Sequence, residues 1–213
     1  MKRIENSPIA NPKTGNGAEG DVQTWRSLSI LLIIGGCIGW LASAALLIER
    51  IRSLQNPQEA LACDISPFVS CGALFDRWQA SLLGFPNPLI GVAGFVVPIV
   101  VGFGLISGAR FAPWFWRILV LGLFAAWAFV TWLFFQSTFV IGVLCPYCLA
   151  VWAATIPLWW NAFVVTMANG QWSGGATRTL GVALKPYVLT LIVANFALIV
   201  VTIVVRFPHV FVM

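Results

Sequence analysis

The sequence contains few charged residues. Of its 213 residues only 9% are Asp, Glu, Lys or Arg, whereas roughly a quarter of an ordinary soluble domain is charged. So few charges do not supply the polar surface of a soluble globular enzyme, and that class is excluded. The 60% of hydrophobic residues, with 11 Trp and 16 Phe, indicate instead a protein whose solvent is the lipid bilayer.

Clustered basic residues and histidine are also scarce. The net charge is +5, but the Lys and Arg residues are scattered singly and no stacking platform accompanies them, so we expect no nucleic-acid binding. The single histidine is His209, near the C-terminus, and no carboxylate lies inside an apolar run. Transporters of the proton-relay kind usually have ionisable residues within the membrane, so the sequence does not favour that class.

Long uncharged runs predict five membrane-spanning helices in an all-α integral membrane protein. Spanning the hydrocarbon takes about 20 apolar residues. The uncharged tract 118–177 is long enough for two crossings, and the polar triplet 136–138 and Pro146 mark its break. The predicted helices are about 27–48, 88–109, 118–139, 145–167 and 186–205, with a disordered tail at 1–26, an outer loop at 49–87 and a C-terminal tail at 207–213.

The first apolar run offers a second interpretation, as a signal peptide. Ala42-Ser43-Ala44 matches a cleavage pattern, but the apolar residues continue to Ile48 and make the run longer than a signal peptide needs. We therefore expect an uncleaved first helix.

The distribution of basic residues predicts the orientation. Basic residues gather on the cytoplasmic side of membrane proteins. With a cytoplasmic N-terminus, eight of the 12 Lys and Arg lie inside, namely Lys2, Arg3, Lys13, Arg26, Arg110, Arg117, Arg178 and Lys185. Five crossings then place the C-terminus, the loop 49–87 and the turn 140–146 on the extracytoplasmic face.

Four of the five cysteines form two pairs on that face. Cys145 and Cys148 make a C-x-x-C motif where the fourth helix begins, and residues three apart on a first helical turn can close a disulfide. The helix N-terminus lowers the pKa of a nearby thiol, which favours a redox site over a structural bridge. Cys37 lies within the first apolar run and is interpreted as a small hydrophobic residue.

The second pair, Cys63 and Cys71, brackets a short stretch of the outer loop. Alone, it is as easily a structural disulfide as a redox pair. Two dithiols on one face can exchange disulfides through a mixed intermediate, which favours a relay. A zinc site formed by all four cysteines is the less favoured alternative, because the spacing of Cys63 and Cys71 is too wide for a usual zinc pair. We expect no metal.

These residues resemble the vitamin K epoxide reductase (VKOR) family, particularly its actinobacterial members, over about residues 27–167. The resemblance rests on order, spacing and membrane side together. The residues that carry it are Cys63-Asp64, Ser70-Cys71, Phe75, Trp78, Phe85-Pro86-Asn87-Pro88 and Cys145-Pro146-Tyr147-Cys148. It implies a four-helix transmembrane bundle around a quinone, here followed by a fifth transmembrane helix, in a bacterial plasma (inner) membrane.

The resemblance also implies a relay of electrons. Cys63 takes electrons from a reduced oxidase, Cys71 attacks Cys145, and Cys148 passes electrons to a quinone of the menaquinone or ubiquinone type. Many bacterial members carry a fused thioredoxin-like domain. This chain ends at Met213, so the expected partner is a separate extracytoplasmic DsbA-like oxidase of the thioredoxin fold.

The resemblance further implies residues that contact the quinone. Asn87 matches a polar residue that hydrogen-bonds a quinone carbonyl, and Phe75 matches an aromatic residue that closes over the ring. Trp152 stands where many members have Tyr, and it can donate a hydrogen bond but not accept one. Asp76 lies near a loop serine of the animal members. The differences from the family at Trp152 and Asp76 weigh against vitamin K epoxide as the substrate.

Three alternatives remain open at this stage. A DsbB-like quinone reductase has its C-x-x-C in the first outer loop, the reverse of the order here. A structural membrane subunit would use two disulfides to brace its outer loops. A reductive vitamin K epoxide or quinone reductase would run the same chemistry in the other direction.

Overall fold

The fold is an all-α bundle, described by a computed structural model over residues 15–58 and 60–208. Five helical segments within these residues are long and apolar enough to cross a membrane. They are Gln23–Gln55, Pro88–Ile106, Pro113–Ile141, Pro146–Ala168 and Gly175–Arg206. The described residues contain two isolated β-bridges and no β-strand, so the predicted fold class is confirmed.

The helices follow the predicted spans with shifted ends. The long ones are α1 (Gly15–Gln55), α4 (Val96–Ile106), α5 (Pro113–Phe135), α6 (Pro146–Ala168) and α8 (Val188–Arg206). Short helices are α2 (Gly72–Phe75), α3 (Pro88–Gly94) and α7 (Gly175–Leu184). Two 3₁₀ turns, Trp78–Ser81 and Lys185–Tyr187, and a π-helical turn, Gln136–Ile141, complete the elements.

The first helix differs most from its prediction. It extends from Gly15 to Gln55, so residues 15–26 are helical rather than part of a disordered tail, and the outer loop begins at 56 rather than 49. Adding residues to an existing helix is far easier than nucleating one, so a helix fixed by its apolar span continues into polar sequence. Of the predicted tails at 1–26 and 207–213, residues 1–14 and 209–213 lie outside the described residues.

Proline sets three helix starts and one interruption. Pro88, Pro113 and Pro146 each occupy the first turn of a helix, where the missing N–H costs nothing. The second span is divided at Phe95, between α3 and α4. Pro98 explains this break, because it cannot donate to the carbonyl of Gly94 and its ring crowds that turn.

The bundle is built around α1 and α6. α1 packs against α3, α4 and α6, and α5 also packs against α6. The main buried cluster joins these helices through residues such as Leu32, Val101, Leu119 and Leu158. α4 and α5 make few direct contacts, and a cavity lies between them.

The fifth span lies outside this arrangement, against α6. Ile199 of α8 is buried in a cluster with Trp152 and Ile156 of α6. α7 approaches the other end of α6 closely, and Gly181 is buried there. Most of α8 remains exposed in the isolated chain, as expected for a helix that faces lipid.

A close approach of α1 and α4 makes Gly102 a test of the fold. A Cβ at Gly102 would lie 2.8 Å from the carbonyl oxygen of Ser29 and 2.7 Å from Ile33 Cγ1. We expect Gly102→Ala to reduce stability by about 1–3 kcal/mol, because the two helices must separate. The matched control is Gly122→Ala on α5, where a Cβ meets nothing within 4 Å. Thermal unfolding in detergent measures both, and equal midpoints for the two variants would contradict this packing.

Candidate functional site

The outer loop is attached to the segment that precedes the C-x-x-C motif. Val69 and Leu144 form a parallel β-bridge. The Ser70 N–H donates to the Leu144 carbonyl at 3.0 Å, and the Leu144 N–H donates to the Phe68 carbonyl at 2.8 Å. Ser70 immediately precedes Cys71, and Leu144 immediately precedes Cys145. The pairing of the two segments therefore brings Cys71 beside Cys145.

The π-helical turn Gln136–Ile141 precedes Leu144, the second residue of that bridge. It ends at Gly142, whose φ of 78° lies in the left-handed region that favours glycine. The Ser137 hydroxyl donates a hydrogen bond to the Val143 carbonyl, and the Gly142 N–H donates to the Ser137 carbonyl at 2.8 Å. These bonds fold the chain back, so that Leu144 meets the loop before α6 begins.

All four paired cysteines gather at this end of the bundle. Cys63 and Cys71 form a disulfide, with their Cα atoms 5.7 Å apart. Cys145 and Cys148 are free thiols, and the Sγ atoms of Cys71 and Cys145 are 3.6 Å apart. Cys63, Cys71 and Cys145 are buried in one cluster with Leu46, Leu61 and Phe75. Cys37, interpreted from the sequence as a small hydrophobic residue, is a half-buried free thiol in α1.

Cys145 has the geometry of an activated nucleophile. It is the N-cap of α6, and its sulfur accepts a hydrogen bond from the Cys148 N–H at 3.2 Å. A hydrogen bond from the Cys148 thiol lowers the pKa of Cys145, burial raises it, and backbone hydrogen bonds from Cys148 and Tyr147 lower it again, so the net shift is downward. A thiolate at Cys145 lies within reach of the Cys71 sulfur.

Asp64 closes the short loop between the first two cysteines. One of its carboxylate oxygens accepts from the Ser70 hydroxyl at 2.6 Å, the Cys71 N–H at 3.0 Å and the Gly72 N–H at 3.1 Å. Burial raises the pKa of Asp64, but these hydrogen bonds outweigh it and hold the pKa below its usual value. The ionised carboxylate therefore fixes the backbone around Cys71 at neutral pH.

Two charged residues at the end of α1 contact the loop. Glu49 is 4% exposed, accepts from the Arg52 guanidinium at 3.1 Å, and accepts from the Ala62 N–H at 3.3 Å. The Arg50 guanidinium lies 5.2 Å from the centre of the Phe75 ring and 3.9 Å from the Asp76 carboxylate. Glu49 thus holds the segment before Cys63, and Arg50 covers Phe75.

A large apolar cavity opens beside the cysteines. Its volume is about 720 Å³, within the usual range for small-molecule sites. Residues of α1, α3, α4, α5 and α6 line it, and its wall includes Cys71, Cys145 and Cys148. Cys148 is exposed and belongs to this wall, so a flat apolar molecule inside the cavity can meet its sulfur.

Three of the four residues predicted to contact a quinone line the cavity. Phe75 is 6% exposed and Trp152 is 4% exposed. The Trp152 indole N–H is buried without a hydrogen-bond partner among the described residues, and its ring lies 4.2 Å from that of Phe134. Asn87 also lines the cavity. Its side-chain N–H donates to the backbone carbonyl of Gln79 at 2.6 Å, and its side-chain oxygen accepts from the Leu82 N–H at 3.2 Å.

The structure does not bring Asp76 to the cavity. Its side chain is 92% exposed and faces Arg50 at 3.9 Å, because Asp76 ends the short helix α2 on the outer surface. Its position beside Phe75 in the sequence gave no indication of this difference. Asp76 is therefore a surface partner of Arg50 and not a contact of the cavity.

Sequence reasoning missed two amides on the cavity wall. Gln79 lies in the 3₁₀ turn Trp78–Ser81 and Gln136 begins the π-helical turn, and both line the cavity. The Gln79 amide donates to the Gln136 side-chain oxygen at 3.4 Å. In the sequence, Gln136 belongs to the polar triplet that marks the break between two helices. A polar side chain next to an apolar span is the signal that could have identified it as a residue of the cavity wall.

The zinc site considered as an alternative would need a cluster of metal ligands. Within residues 15–58 and 60–208, no group of three or more His, Cys, Asp or Glu side chains is arranged to hold a metal ion. Two of the four cysteines are already joined to each other.

Comparison with known proteins identifies the family. The model of the vitamin K epoxide reductase family matches residues 30–163, which is more than half of the chain and includes all four paired cysteines. A search of curated proteins finds no match. The family consists of oxidoreductases that use quinones, and the five apolar helices make this chain a multi-pass membrane protein. The chain belongs to the vitamin K epoxide reductase family.

Proposed function

We propose that this protein is a quinone-dependent membrane thiol-disulfide oxidoreductase that reoxidises an extracytoplasmic DsbA-like oxidase. The observation that carries the proposal is the 3.6 Å separation of the Cys71 and Cys145 sulfurs, at the edge of an apolar cavity that Cys148 also lines. Disulfide exchange proceeds by attack of a thiolate on a disulfide sulfur, so two dithiols at this distance can exchange without a diffusing carrier.

The relay has three steps. A reduced partner dithiol passes two electrons to the Cys63–Cys71 disulfide and is itself oxidised. The Cys71 thiolate then attacks Cys145 of an oxidised Cys145–Cys148 pair, giving a mixed disulfide that Cys63 resolves. Finally, the Cys145 and Cys148 thiols lose two electrons and two protons to a quinone, which becomes a hydroquinone.

The Cys63–Cys71 pair, here called the outer pair, is a disulfide, and the Cys145–Cys148 pair, the inner pair, consists of free thiols. In the proposed relay this arrangement corresponds to the point before the quinone is reduced. The lowered pKa of Cys145 supports the reverse exchange as well, because its thiolate can attack the Cys71 sulfur. A quinone acceptor draws the net flow inward by removing the electrons from the inner pair.

Access for the partner requires the loop to open near Cys63. Cys63 is 2% exposed and Cys71 is 0% exposed, so a protein in water cannot reach either sulfur in this state. The segment before Cys63 is held by the Ala62 hydrogen bond to Glu49 and by burial of Leu61. Releasing this segment uncovers Cys63 while the bonds of Phe68 and Ser70 to Leu144 keep Cys71 beside Cys145.

Bracing of the outer loops is the competing function. It predicts two permanent disulfides, Cys63 with Cys71 and Cys145 with Cys148, and no exchange between the two pairs. Epoxide reduction uses the same cavity and the same inner dithiol, so an assay of both substrates on the purified protein separates it from quinone reduction.

Removing Cys148 tests the relay directly. In Cys148→Ser the Cys145 thiolate can still attack Cys71 of the outer disulfide and release Cys63. The mixed disulfide between Cys71 and Cys145 can then be lost only by return of Cys63, because Cys148 is no longer present to displace Cys71. We therefore expect the mixed disulfide to be trapped when a thiol-reactive reagent blocks Cys63. Gel shift with a thiol-reactive mass tag, followed by mass spectrometry of the linked peptides, detects it. Bracing predicts instead an unchanged Cys63–Cys71 disulfide and no Cys71–Cys145 species.

Turnover provides the control for that experiment. Cys145→Ala and Cys148→Ala should reduce quinone-dependent oxidation of a DsbA-like protein to background, while Cys37→Ala retains the wild-type rate. Oxidation of the partner at an undiminished rate by either of the first two variants contradicts the relay.

The pH dependence of the exchange tests the activation of Cys145. The rate of formation of the Cys71–Cys145 species should fall as the pH drops through the lowered pKa of Cys145, because protonation removes the thiolate. The Cys148 thiol is the largest cause of that lowering, so Cys148→Ala, which has no donor, should shift the midpoint upward relative to Cys148→Ser. Stopped-flow quenching and mass tagging give both profiles, and coincident midpoints contradict this cause.

The orientation is part of the proposal. A cytoplasmic N-terminus places the outer loop and the C-terminus outside the plasma membrane of a bacterium, where disulfides form. In a chain whose native cysteines are replaced by Ala, Gln58→Cys should react with a membrane-impermeant maleimide on intact cells. Ser173→Cys, equally exposed between α6 and α7, should react after lysis and not before. The reverse pattern contradicts the orientation.

A further inference from the structure

A buried amide oxygen without a partner among the described residues belongs to a residue of the cavity wall. Gln79 is 6% exposed, and its side chain belongs to the wall that also contains Cys148. Its amide nitrogen donates to Gln136 at 3.4 Å. The side-chain oxygen of Gln79 is buried and accepts no hydrogen bond from any described residue.

Such an acceptor is unusual inside a folded protein. Most buried polar side-chain atoms have at least one hydrogen-bond partner, and an unpaired one destabilises the empty protein. An apolar residue would line the cavity without that penalty. The unpaired amide oxygen therefore indicates that a bound ligand donates a hydrogen bond at this point of the wall.

The neighbouring polar groups do not satisfy this oxygen. The side-chain N–H of Asn87 donates to the backbone carbonyl of Gln79, and the side-chain oxygen of Asn87 accepts from the Leu82 N–H. The Trp152 indole N–H is a second unpaired group on the wall, and it donates only. The wall thus presents a donor at Trp152 and an acceptor at Gln79.

The two oxidation states of a quinone differ in what they present to such groups. A quinone has two carbonyl oxygens, which accept hydrogen bonds. Its hydroquinone has two hydroxyl groups, which also donate them. An acceptor on the wall therefore gains a partner when the quinone is reduced, whereas a donor such as Trp152 already has one in the oxidised state.

We infer that Gln79 is a quinone-contacting residue that recognises the reduced form, with its side-chain oxygen accepting a hydrogen bond from a hydroquinone hydroxyl. Gln136 is a positioning residue, because its oxygen accepts a hydrogen bond from the Gln79 nitrogen, while the Gln79 oxygen has no partner among the described residues. This inference rests on the proposed function, since that function supplies the quinone.

The step balances without a proton leaving the ligand. The Cys145 and Cys148 thiols lose two electrons and two protons and form an S–S bond, and the quinone gains both to become the hydroquinone. Gln79 accepts a hydrogen bond from the product and takes no proton. Its effect is to favour bound hydroquinone over bound quinone, which makes the bound quinone a stronger oxidant of the dithiol.

Separate measurement of the two affinities tests this inference. The probes are a short-chain ubiquinone, menadione and the hydroquinone of each, bound anaerobically to the full-length protein in detergent and followed by tryptophan fluorescence. Gln79→Met keeps a long side chain and removes the acceptor. We expect it to weaken hydroquinone binding about tenfold. Quinone binding should change less than about threefold, because the oxidised ligand offers Gln79 no donor.

Thr138→Val is the matched control. Thr138 is also fully buried with a hydroxyl that has no partner among the described residues, but it does not line the cavity. Thr138→Val should raise the thermal midpoint of the ligand-free protein, since it removes an unpaired polar atom and breaks no hydrogen bond among the described residues. Thr138→Val should leave both affinities unchanged. A tenfold change in the ratio of affinities corresponds to about 30 mV in the midpoint potential of the bound two-electron couple.

An infrared measurement on the unaltered chain keeps the inference testable if Gln79→Met does not fold. With the glutamine amides labelled with ¹³C, the difference spectrum should show a downward shift of one amide carbonyl band on binding of hydroquinone and no shift on binding of quinone. Absence of this shift overturns the inference.

The outcomes distinguish this inference from the proposed function. If the wild-type protein binds both oxidation states and Gln79→Met weakens them equally or not at all, the role of Gln79 is wrong and the proposed function stands. If the wild-type protein binds neither form and reduces no quinone, both are wrong.

Discussion

The chemistry depends on one backbone pairing, the bridge between Val69 and Leu144. Its two hydrogen bonds hold the outer loop against the segment that leads into α6, so that the Cys71 and Cys145 sulfurs lie 3.6 Å apart. Backbone hydrogen bonds do not depend on the oxidation state of the sulfurs. The distance between the two pairs is thus set by the fold, while the bonds within and between the pairs are free to change.

The cavity follows from the way the helices are packed. α1 and α6 supply most contacts in the bundle, and α4 and α5 stand apart on either side of a volume of about 720 Å³. A gap of this size in a soluble protein would fill with water, but in a bilayer an apolar wall admits apolar molecules from the lipid. The same arrangement gives Cys148 access to a lipid-borne acceptor and keeps Cys71 and Cys145 buried.

The sequence allowed the spans and the chemistry to be predicted, but not the assembly of the site. Apolar runs and the starts at Pro88 and Pro146 define helices because hydropathy and proline geometry act locally. The bridge of Val69 with Leu144 joins residues distant in sequence, and no local pattern encodes it. Gln79 gave no signal for a similar reason, because burial of a single amide depends on the helices that surround its turn. Asp76 shows the converse, since its neighbour Phe75 faces the cavity while Asp76 faces outward.

Burial of the outer disulfide and the protein partner of the proposed function impose opposite demands on the loop. Enclosure of Cys63 and Cys71 protects both sulfurs from other thiols, and it would also exclude the proposed partner. The contacts on the two sides of the loop differ in kind. The Cys71 side is held by an ionised carboxylate, Asp64, and by the backbone bridge, whereas the Cys63 side is held by a hydrogen bond to Glu49 and by Leu61. A loop fixed in this way can open at one cysteine without losing the alignment at the other, so in the proposed function a single short segment would serve both a partner in water and an acceptor in lipid.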